Sequence, residues 1–584
     1  MNKHLRKRII WGSVLVAAVL LSLIGIRRLW QLGAAADVQE YTPADIDAML
    51  WLPRVDQAAE RLLQFTRGVK ETEQLRQFLK PETGIDIADP EGLRRVGVDP
   101  EAGLVLFSRN GNLYLLFGVE DDEAFSEALI AKFINNGHTG VEPVESATND
   151  AIIYRVPSKV DSGKTIAAFG ASSGLMALVY RGRGEDPLRV IEDILKPAGD
   201  QSFFKTVRFR EMVKRVGDEG PLLYADGHTF ARNKDGKPRT AWLERLPLNP
   251  LVRNVIEGRI AGYLSRVAYI AARMDMNSCA ANIRTVLRVE EGASLIPKSW
   301  MLNEDSPSPS FGDLLPRDAV FMMRVGIQVE RISSILLQIG RLGSGLAGLG
   351  SALGLGDKGS DPIAALLSKH VHPDLADRHI VRDLANHLTG HIAVAVTSMD
   401  PRATMRDIMG VRKHPVAAAN ALGLVLMMES HNGTKLVDVW WPKRSILERS
   451  GYTIERTNLG DSTSIRIERG CSNKKRQCER YGVLQVGKMV MVTTGRDTMR
   501  RLREVLLNKT SSLRSRTREA VASSVLEKDN MLAGGYLSFD GLLAAVRNRN
   551  VPGGIKRYLS QFYEVAFTLD LTGGDADSQL LITR

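Results

Sequence analysis

Cysteine is scarce in this sequence: 584 residues contain three, too few for a scaffold held together by disulfide bonds. We also expect no nucleophile elbow, no His-Glu-x-x-His zinc motif and no Cys-x-x-Cys pair, and therefore no catalytic, metal or cofactor site. Hydrophobic residues make up 44% of the chain. That is ample material for packed cores, and the length predicts two or more domains.

The N-terminus carries a long apolar run. Residues 9–26 are eighteen residues without a charge, about the minimum that crosses a bilayer as a helix. Residues 1–8 contain four Lys or Arg, and two Arg follow the run, a bias that keeps the N-terminus inside. We predict a cytoplasmic basic tail (1–8) and an uncleaved transmembrane signal-anchor helix (9–26) in the inner membrane, with the rest in the periplasm or outside the cytoplasm. The alternative is a signal peptide cleaved near residues 34–36.

Two of the cysteines lie close together. Cys471 and Cys478 flank the polar tip of a predicted hairpin, a spacing that favours a disulfide in an oxidising compartment. The alternative is a pair of free surface thiols. Cys279 lies in another strand-like region, and we predict it to be a small buried hydrophobic residue.

Four sequence pieces occur twice, in the same order and with compatible spacing, which predicts two tandem domains. A Ser/Pro-rich linker at 301–313 separates a first domain (40–300) from a second (314–584). The matched pairs are 47–65 with 318–339, 103–129 with 391–440, 165–195 with 481–507, and 263–288 with 558–584.

Each copy alternates short apolar runs, bounded by Gly, Asn or Asp, with stretches of helical period. Hairpin-like pairs around residues 109–112 and 171–174 predict antiparallel strands. The fold class is α+β, with each domain a mainly antiparallel sheet that carries helices on one face. Thr42 and Pro43 predict a helix start, and Pro53 predicts an irregular opening strand.

The N-terminal helix and the repeats resemble an uncharacterised class of bacterial extracytoplasmic proteins, known only as domains of unknown function. Their repeats open with an Asp-Ala, strand, Arg-Val element, seen here at 318–325, and continue with a helix that leads into a Gly-headed strand, seen at 377–396. The resemblance implies an architecture and a compartment, and it implies no activity.

Two segments look like binding motifs but are predicted not to be. Residues 162–165 read Ser-Gly-Lys-Thr, the tail of a phosphate-binding loop, but Ser158 stands where that loop needs glycine, so we predict a hairpin turn. Five histidines lie within 22 residues, and the last three could share a helical face, but Pro373 interrupts the pattern and His391 is expected to start a strand. We expect solvent-facing or capping histidines rather than a metal site. They are His370, His372, His379, His387 and His391.

Residues 332–356 form an apolar, glycine-rich segment, which predicts either a helix that runs into a flexible loop or an apolar flap that contacts lipid, a partner helix or an apolar ligand. The flap glycines are Gly343, Gly345, Gly348, Gly350 and Gly354.

A basic stretch spans residues 474–518, where thirteen Lys or Arg stand against three acidic residues, a local net charge of +10 out of +11 for the whole chain. Arg496, Arg500 and Arg503 share a predicted helix face and are the best candidates to bind anionic lipid or envelope polymer, whereas Arg501 points elsewhere. The alternative is an ordinary solvated helix face. Outside the cytoplasm, nucleic acid is not an expected partner.

These features predict a non-enzymatic, membrane-anchored envelope protein that acts as a binding or scaffold module for an unidentified protein partner. The alternative is a carrier or sensor of a lipid or other apolar ligand. A large apolar cavity would favour the carrier, whereas packed cores with an exposed apolar patch would favour the scaffold. A third hypothesis is an envelope hydrolase with no recognisable site.

Overall fold

The structure is a computed structural model. It describes residues 37–65, 94, 97, 99–135, 137–144, 146, 151–172, 174–182, 184–227, 266–294, 302, 310–328, 386–397, 423–440, 444–459, 462–469, 479–495, 497–515, 531–546, 560–572 and 575–583. The described residues fall into two compact units. The first comprises residues 37–227 and 267–288, and the second comprises residue 266 and the residues from 289 onward.

The first unit is an antiparallel sheet with helices. Its strands are β1 (Ala48–Leu52), β2 (Leu104–Arg109), β3 (Asn112–Gly118), β4 (Glu142–Val144), β5 (Ile152–Pro157), β6 (Thr165–Ser172), β7 (Leu175–Tyr180), β8 (Leu222–Asp226), β9 (Val267–Met276) and β10 (Ala280–Val289). Its helices are α1 (Val38–Tyr41), α2 (Val55–Phe65), α3 (Asp122–Asn135), α4 (Pro187–Ile194) and α5 (Val207–Val216). The strands pair in the order β4-β5-β6-β7-β3-β2-β1-β8-β9-β10.

The second unit has the same kind of architecture. Its strands are β11 (Phe321–Gly326), β12 (Leu388–Val396), β13 (Leu424–Ser430), β14 (Thr453–Leu459), β15 (Ser462–Arg469), β16 (Glu479–Val486), β17 (Met489–Thr494), β18 (Ala533–Ser538), β19 (Glu564–Thr572) and β20 (Asp575–Thr583). Its helices are α6 (Phe311–Leu314), α7 (Gly433–Trp440), α8 (Arg444–Arg449), α9 (Thr498–Leu506) and α10 (Phe539–Val546). The pairing order is β14-β15-β16-β17-β13-β12-β11-β18-β19-β20, which is the order of the first unit with ten added to each number.

Backbone hydrogen bonds fix which positions of the two ladders correspond. The Asp47 N–H donates to the carbonyl of Ser108 and its carbonyl accepts from Asp226. Val320 makes the same two bonds, to Val396 and from Ser538. Asp47 therefore corresponds to Val320, two residues beyond the Asp318 that sequence similarity suggests. A shift of two keeps every side chain on its face of the sheet, which is why the hydrophobic pattern matches either way.

Predicted hairpins and their turns are confirmed. β2 and β3 pair antiparallel through Asn110 and Gly111, whose φ values of 49° and 80° fit the type I′ turn that an Asn-Gly pair favours. β6 and β7 form the second predicted hairpin. The α+β class with mainly antiparallel strands is thus present in both units.

Helices cover both faces of the first sheet, not one face as predicted. On one face Ile191 of α4 and Met212 of α5 pack in a cluster with Trp51. On the other, Ala58 of α2 and Leu129 of α3 pack in a second cluster. The strands therefore carry continuous apolar runs, because residues pointing either way are buried.

Three predicted local features differ in the structure. Thr42 does not begin a helix but follows the end of α1, where its hydroxyl donates to the carbonyl of Val38 at 3.0 Å. β1 ends at Leu52, directly before Pro53, so the proline terminates the strand and does not distort it. The last residues of the predicted linker belong to α6, in which Phe311 is buried.

Candidate functional site

Several predicted site residues lie outside the described residues. They are the segment 9–26, Cys471, Cys478, Arg496, the five flap glycines, His370, His372 and His379. Over the parts of the chain that the structure describes, no helix is long and apolar enough to cross a membrane.

Cys279 is exposed, so the prediction of a buried thiol is wrong. It lies in the turn between β9 and β10. The Asn277 side-chain oxygen accepts hydrogen bonds from the backbone N–H groups of Cys279 and Ala280, both at 2.8 Å. Such an Asx turn satisfies the backbone locally and leaves the intervening side chain in solvent.

His387 and His391 do not share a helical face. His391 lies inside β12 opposite Gly326 and is buried, contrary to the prediction of a solvent-facing or capping histidine. His387 precedes that strand, and its carbonyl accepts from the Ser430 hydroxyl at 2.7 Å. Among the described residues, no group of three His, Cys, Asp or Glu is placed to hold a metal ion.

Two glycine-containing segments are hairpin turns. Residues 162–165 lie in the connection from β5 to β6, closed by the Ser158 N–H on the Lys164 carbonyl at 2.8 Å, as predicted. The chain does contain the Gly-x-Ser-x-Gly spacing, at residues 170–174, so the expectation that it is absent is wrong. That segment joins β6 to β7, whereas a nucleophile elbow needs a turn from strand to helix.

The basic residues of α9 are partly neutralised. The Arg500 guanidinium contacts the carboxylates of Glu504 at 2.6 Å and Asp497 at 3.7 Å. Arg501 is turned away, as predicted, and pairs with Asp318 while donating to the Thr397 carbonyl at 2.9 Å. Arg503 has no ion pair with any described carboxylate.

A buried arginine stands out in the first unit. Arg273 of β9 is 2% exposed, and its guanidinium lies 5.3 Å from the centre of the Trp51 ring. None of its three nitrogens has a hydrogen-bond acceptor among the described residues. Burial lowers the pKa of Arg273 to about 10, with the nearby Asp218 carboxylate acting in the opposite direction.

A cleft of about 260 Å³ lies in the first unit, between α2 and the loop before β8. Its walls combine charged and apolar side chains. The charged ones are Arg54, Arg61, Asp218 and Glu219, and Met274 is among the apolar ones. It is smaller than the roughly 300–1,000 Å³ of ordinary ligand pockets. This cleft is therefore a poor fit to a lipid or another large apolar ligand.

The feature that best fits a binding site is an open sheet surface of the second unit, which we call the apolar face. Its most exposed members are Met323 (39%), Val394 (40%) and Phe567 (36%). The register places Met323 opposite both Val394 and Gly535, and Gly535 opposite Phe567, so they form one row across four strands. The half-buried members around this row are Phe321, Val325, Ile392, Val396, Ala533, Leu537, Val565, Leu569, Leu580 and Ile582.

The opposite side of the same strands is closed. Met322, Ala395 and Tyr536, which alternate with the members of the apolar face, are buried. The sequence does not show which side is covered, because Met322, Ala395 and Tyr536 are no more apolar than Met323, Val394 and Phe567.

The corresponding positions of the first unit are covered. Leu50 corresponds to Met323 and is only 4% exposed. It packs with Val55 and Ala58 of α2 in one cluster. An amphipathic helix therefore covers this face in the first unit, whereas the described residues leave the corresponding face of the second unit exposed.

Comparison with known proteins places the chain in no family. No protein-family description matches it, and no curated protein matches it. Among solved structures, crystal form I of TP0453 is similar at a TM-score of 0.24 and 11% identity, over 44% of this chain and 81% of that one. Crystal form III of TP0453 gives a TM-score of 0.25 and 9% identity, over 44% and 82%. A likeness at this level identifies neither a fold family nor a function.

Proposed function

We propose that this chain is a non-enzymatic, membrane-anchored module outside the cytoplasm, built from two copies of one domain, which binds another molecule through the apolar face. The observation that carries the binding role is the row of Met323, Val394 and Phe567. Monomeric soluble proteins rarely leave contiguous apolar surface uncovered unless it mediates an interaction.

The duplication is supported by the strand order. Ten strands follow one pairing order in each unit, and the four matched sequence pieces fall on corresponding strands. The anchor and the compartment rest on residues 9–26 and their flanking basic residues. The carrier is less well supported, because among the described residues the cleft of the first unit is small and lined in part by charged groups.

The test uses the full chain extracted from its own membrane in mild detergent. We expect it to migrate on native gels well above the mass of the 64.3 kDa chain in its micelle, and Met323→Glu or Val394→Glu to abolish the larger species. Ile152→Glu is the matched control, since Ile152 is a more exposed strand residue of the first unit. A complex that persists in both face variants, or a wild-type chain that migrates alone, would refute the proposed function.

A further inference from the structure

We propose that the cleft of the first unit binds a free α-amino acid with an apolar side chain. The carboxylate of the ligand contacts Arg54 and Arg61, and its ammonium group contacts Asp218 and Glu219. Its side chain lies on the apolar base of the cleft. This site does not use the apolar face and goes beyond the proposed function.

The two arginines line one side of the cleft and keep free donors. Arg54 directly precedes α2, and Arg61 lies within it. The Nε and Nη2 atoms of Arg54 donate to Asp56 at 3.3 and 2.9 Å, and Nη2 also pairs with Glu101 at 3.3 Å. The Nη1 atom of Arg61 donates to Asp275 at 3.3 Å.

These contacts hold the arginines in place without using all of their N–H groups. The Nη1 atom of Arg54 and the Nη2 atom of Arg61 have no acceptor among the described residues. A guanidinium is planar and has several donors, so one that is already oriented by a carboxylate can still bind another. Both arginines can therefore bind the carboxylate of a ligand.

The other side of the cleft carries two carboxylates. Asp218 and Glu219 lie in the loop between α5 and β8, are exposed, and form no ion pair with a described residue. The loop is held against β9, because the Pro221 carbonyl accepts from the Met274 N–H at 3.1 Å. Gly220 has a φ of 86°, and any Cβ there would collide with the Met274 carbonyl oxygen. The backbone of this loop is thus fixed before a ligand binds.

The base of the cleft is apolar. Met276 is buried and Met274 is half-buried, and Pro53, Ala58 and Pro221 also line the cleft. Apolar lining with a few placed polar groups is the usual composition of a small-molecule site. The volume of about 260 Å³ limits the ligand to a small molecule.

The two signs of charge select a ligand that carries both. The arginines form no ion pair with Asp218 or Glu219 across the cleft, as far as the described residues show. The carboxylates would repel a simple anion, and the arginines would repel a simple cation. An amino acid in its zwitterionic form offers one charge to each side and an apolar group to the base.

The test is equilibrium dialysis of the full chain in mild detergent against radiolabelled leucine, valine or methionine. We expect at least one of them to bind, with one molecule per chain. The amide of that amino acid lacks the carboxylate, and its N-acetyl derivative lacks the ammonium group. Each derivative should bind about tenfold more weakly, because charged hydrogen bonds are lost.

Two variants place the ligand in this cleft. Glu219→Gln and Arg61→Gln should each weaken binding about tenfold without lowering the melting temperature, because both side chains reach solvent. Glu219 is chosen over Asp218, which also interacts with the buried Arg273. Glu211→Gln is the matched control, at an exposed position of α5 outside the cleft, and should bind like the wild type.

Failure of all three amino acids to bind would overturn the proposal, and so would a derivative that binds as tightly as its parent. Binding that Glu219→Gln and Arg61→Gln both leave unchanged would place the ligand elsewhere and overturn it as well. None of these outcomes bears on the proposed function, which the native gels of Met323→Glu and Val394→Glu test separately.

Discussion

The buried Arg273 guanidinium lies beside the Trp51 ring and has no hydrogen-bond acceptor among the described residues, although the Asp218 carboxylate is near enough to affect its pKa. The second unit has different side chains at the corresponding positions. Arg324 corresponds to Trp51, and Thr568 corresponds to Arg273. Arg324 is also buried and donates to the Met531 sulfur at 3.1 Å. Both units thus bury an arginine on the same side of the sheet.

A buried charge without a hydrogen-bonded partner opposes folding, so its removal should stabilise the first unit. We expect Arg273→Met, which keeps the length of the side chain, to raise the unfolding free energy by about 1–3 kcal/mol. Hydrogen exchange of the β8 and β9 amides in the full chain measures it. Arg284→Met, at an exposed position of β10, is the control and should change little. A loss of stability above about 1 kcal/mol in Arg273→Met would show that the guanidinium has an acceptor.

The stability of Arg273→Met relative to wild type should also depend on pH. Because burial depresses the folded-state pKa of Arg273 to about 10, below the ordinary value of an arginine, the unfolded chain binds the proton more tightly than the folded chain. The wild type therefore gains stability as pH rises through about 10, and the advantage of the variant shrinks between pH 9 and 11. The same exchange experiment at several pH values checks this, and an advantage that is constant or grows would contradict it.

At the level of single elements, α9 is a basic helix whose arginines differ in whether they form an ion pair with a described carboxylate. Arg500 is held by Glu504 and Asp497, and Arg501 by Asp318, whereas Arg503 is not paired among the described residues. If residues 474–518 bind an anionic surface, Arg503 should contribute more than Arg500.

Flotation of the full chain, solubilised and mixed with vesicles of 30% anionic lipid, measures this contribution. We expect binding to fall between 0.05 M and 0.5 M salt, and Arg503→Gln to reduce it more than Arg500→Gln. Each available charge near the surface adds about 1 kcal/mol, roughly a fivefold change. Equal binding to neutral vesicles, or equal effects of the two variants, would argue for a solvated helix face.

For the molecule as a whole, the oxidation state of the cysteines depends on the compartment in which the chain lies. Of the three cysteines, Cys279 is exposed and unpaired, and Cys471 and Cys478 are predicted to bridge. An extracytoplasmic location permits that bridge, whereas the cytoplasm would keep the thiols reduced.

We expect a membrane-impermeant maleimide to label intact cells at one cysteine, Cys279. Labelling at Cys471 and Cys478 should appear only after reduction, and peptide mass spectrometry assigns the sites. Cys279→Ser is the control and should abolish labelling without reductant. Labelling of Cys279 only after lysis would place the chain inside the cytoplasm. Finding Cys471 and Cys478 as free thiols in unreduced, folded protein would refute the predicted disulfide.

The local and periodic features of this protein can be predicted from its residues alone. The α+β class, the antiparallel hairpins and the turn at Asn110–Gly111 follow from hydrophobic period and turn chemistry, which act over a few residues. Tertiary packing determines which face of each strand lies beneath a helix. Leu50 and Met323 are equally apolar and correspond in register, yet one lies beneath α2 and the other is open. It also decided that Cys279 is exposed and that Arg273 is buried. Both depend on how distant elements pack. The alternation of side chains along a strand does not show whether another element covers one of its faces.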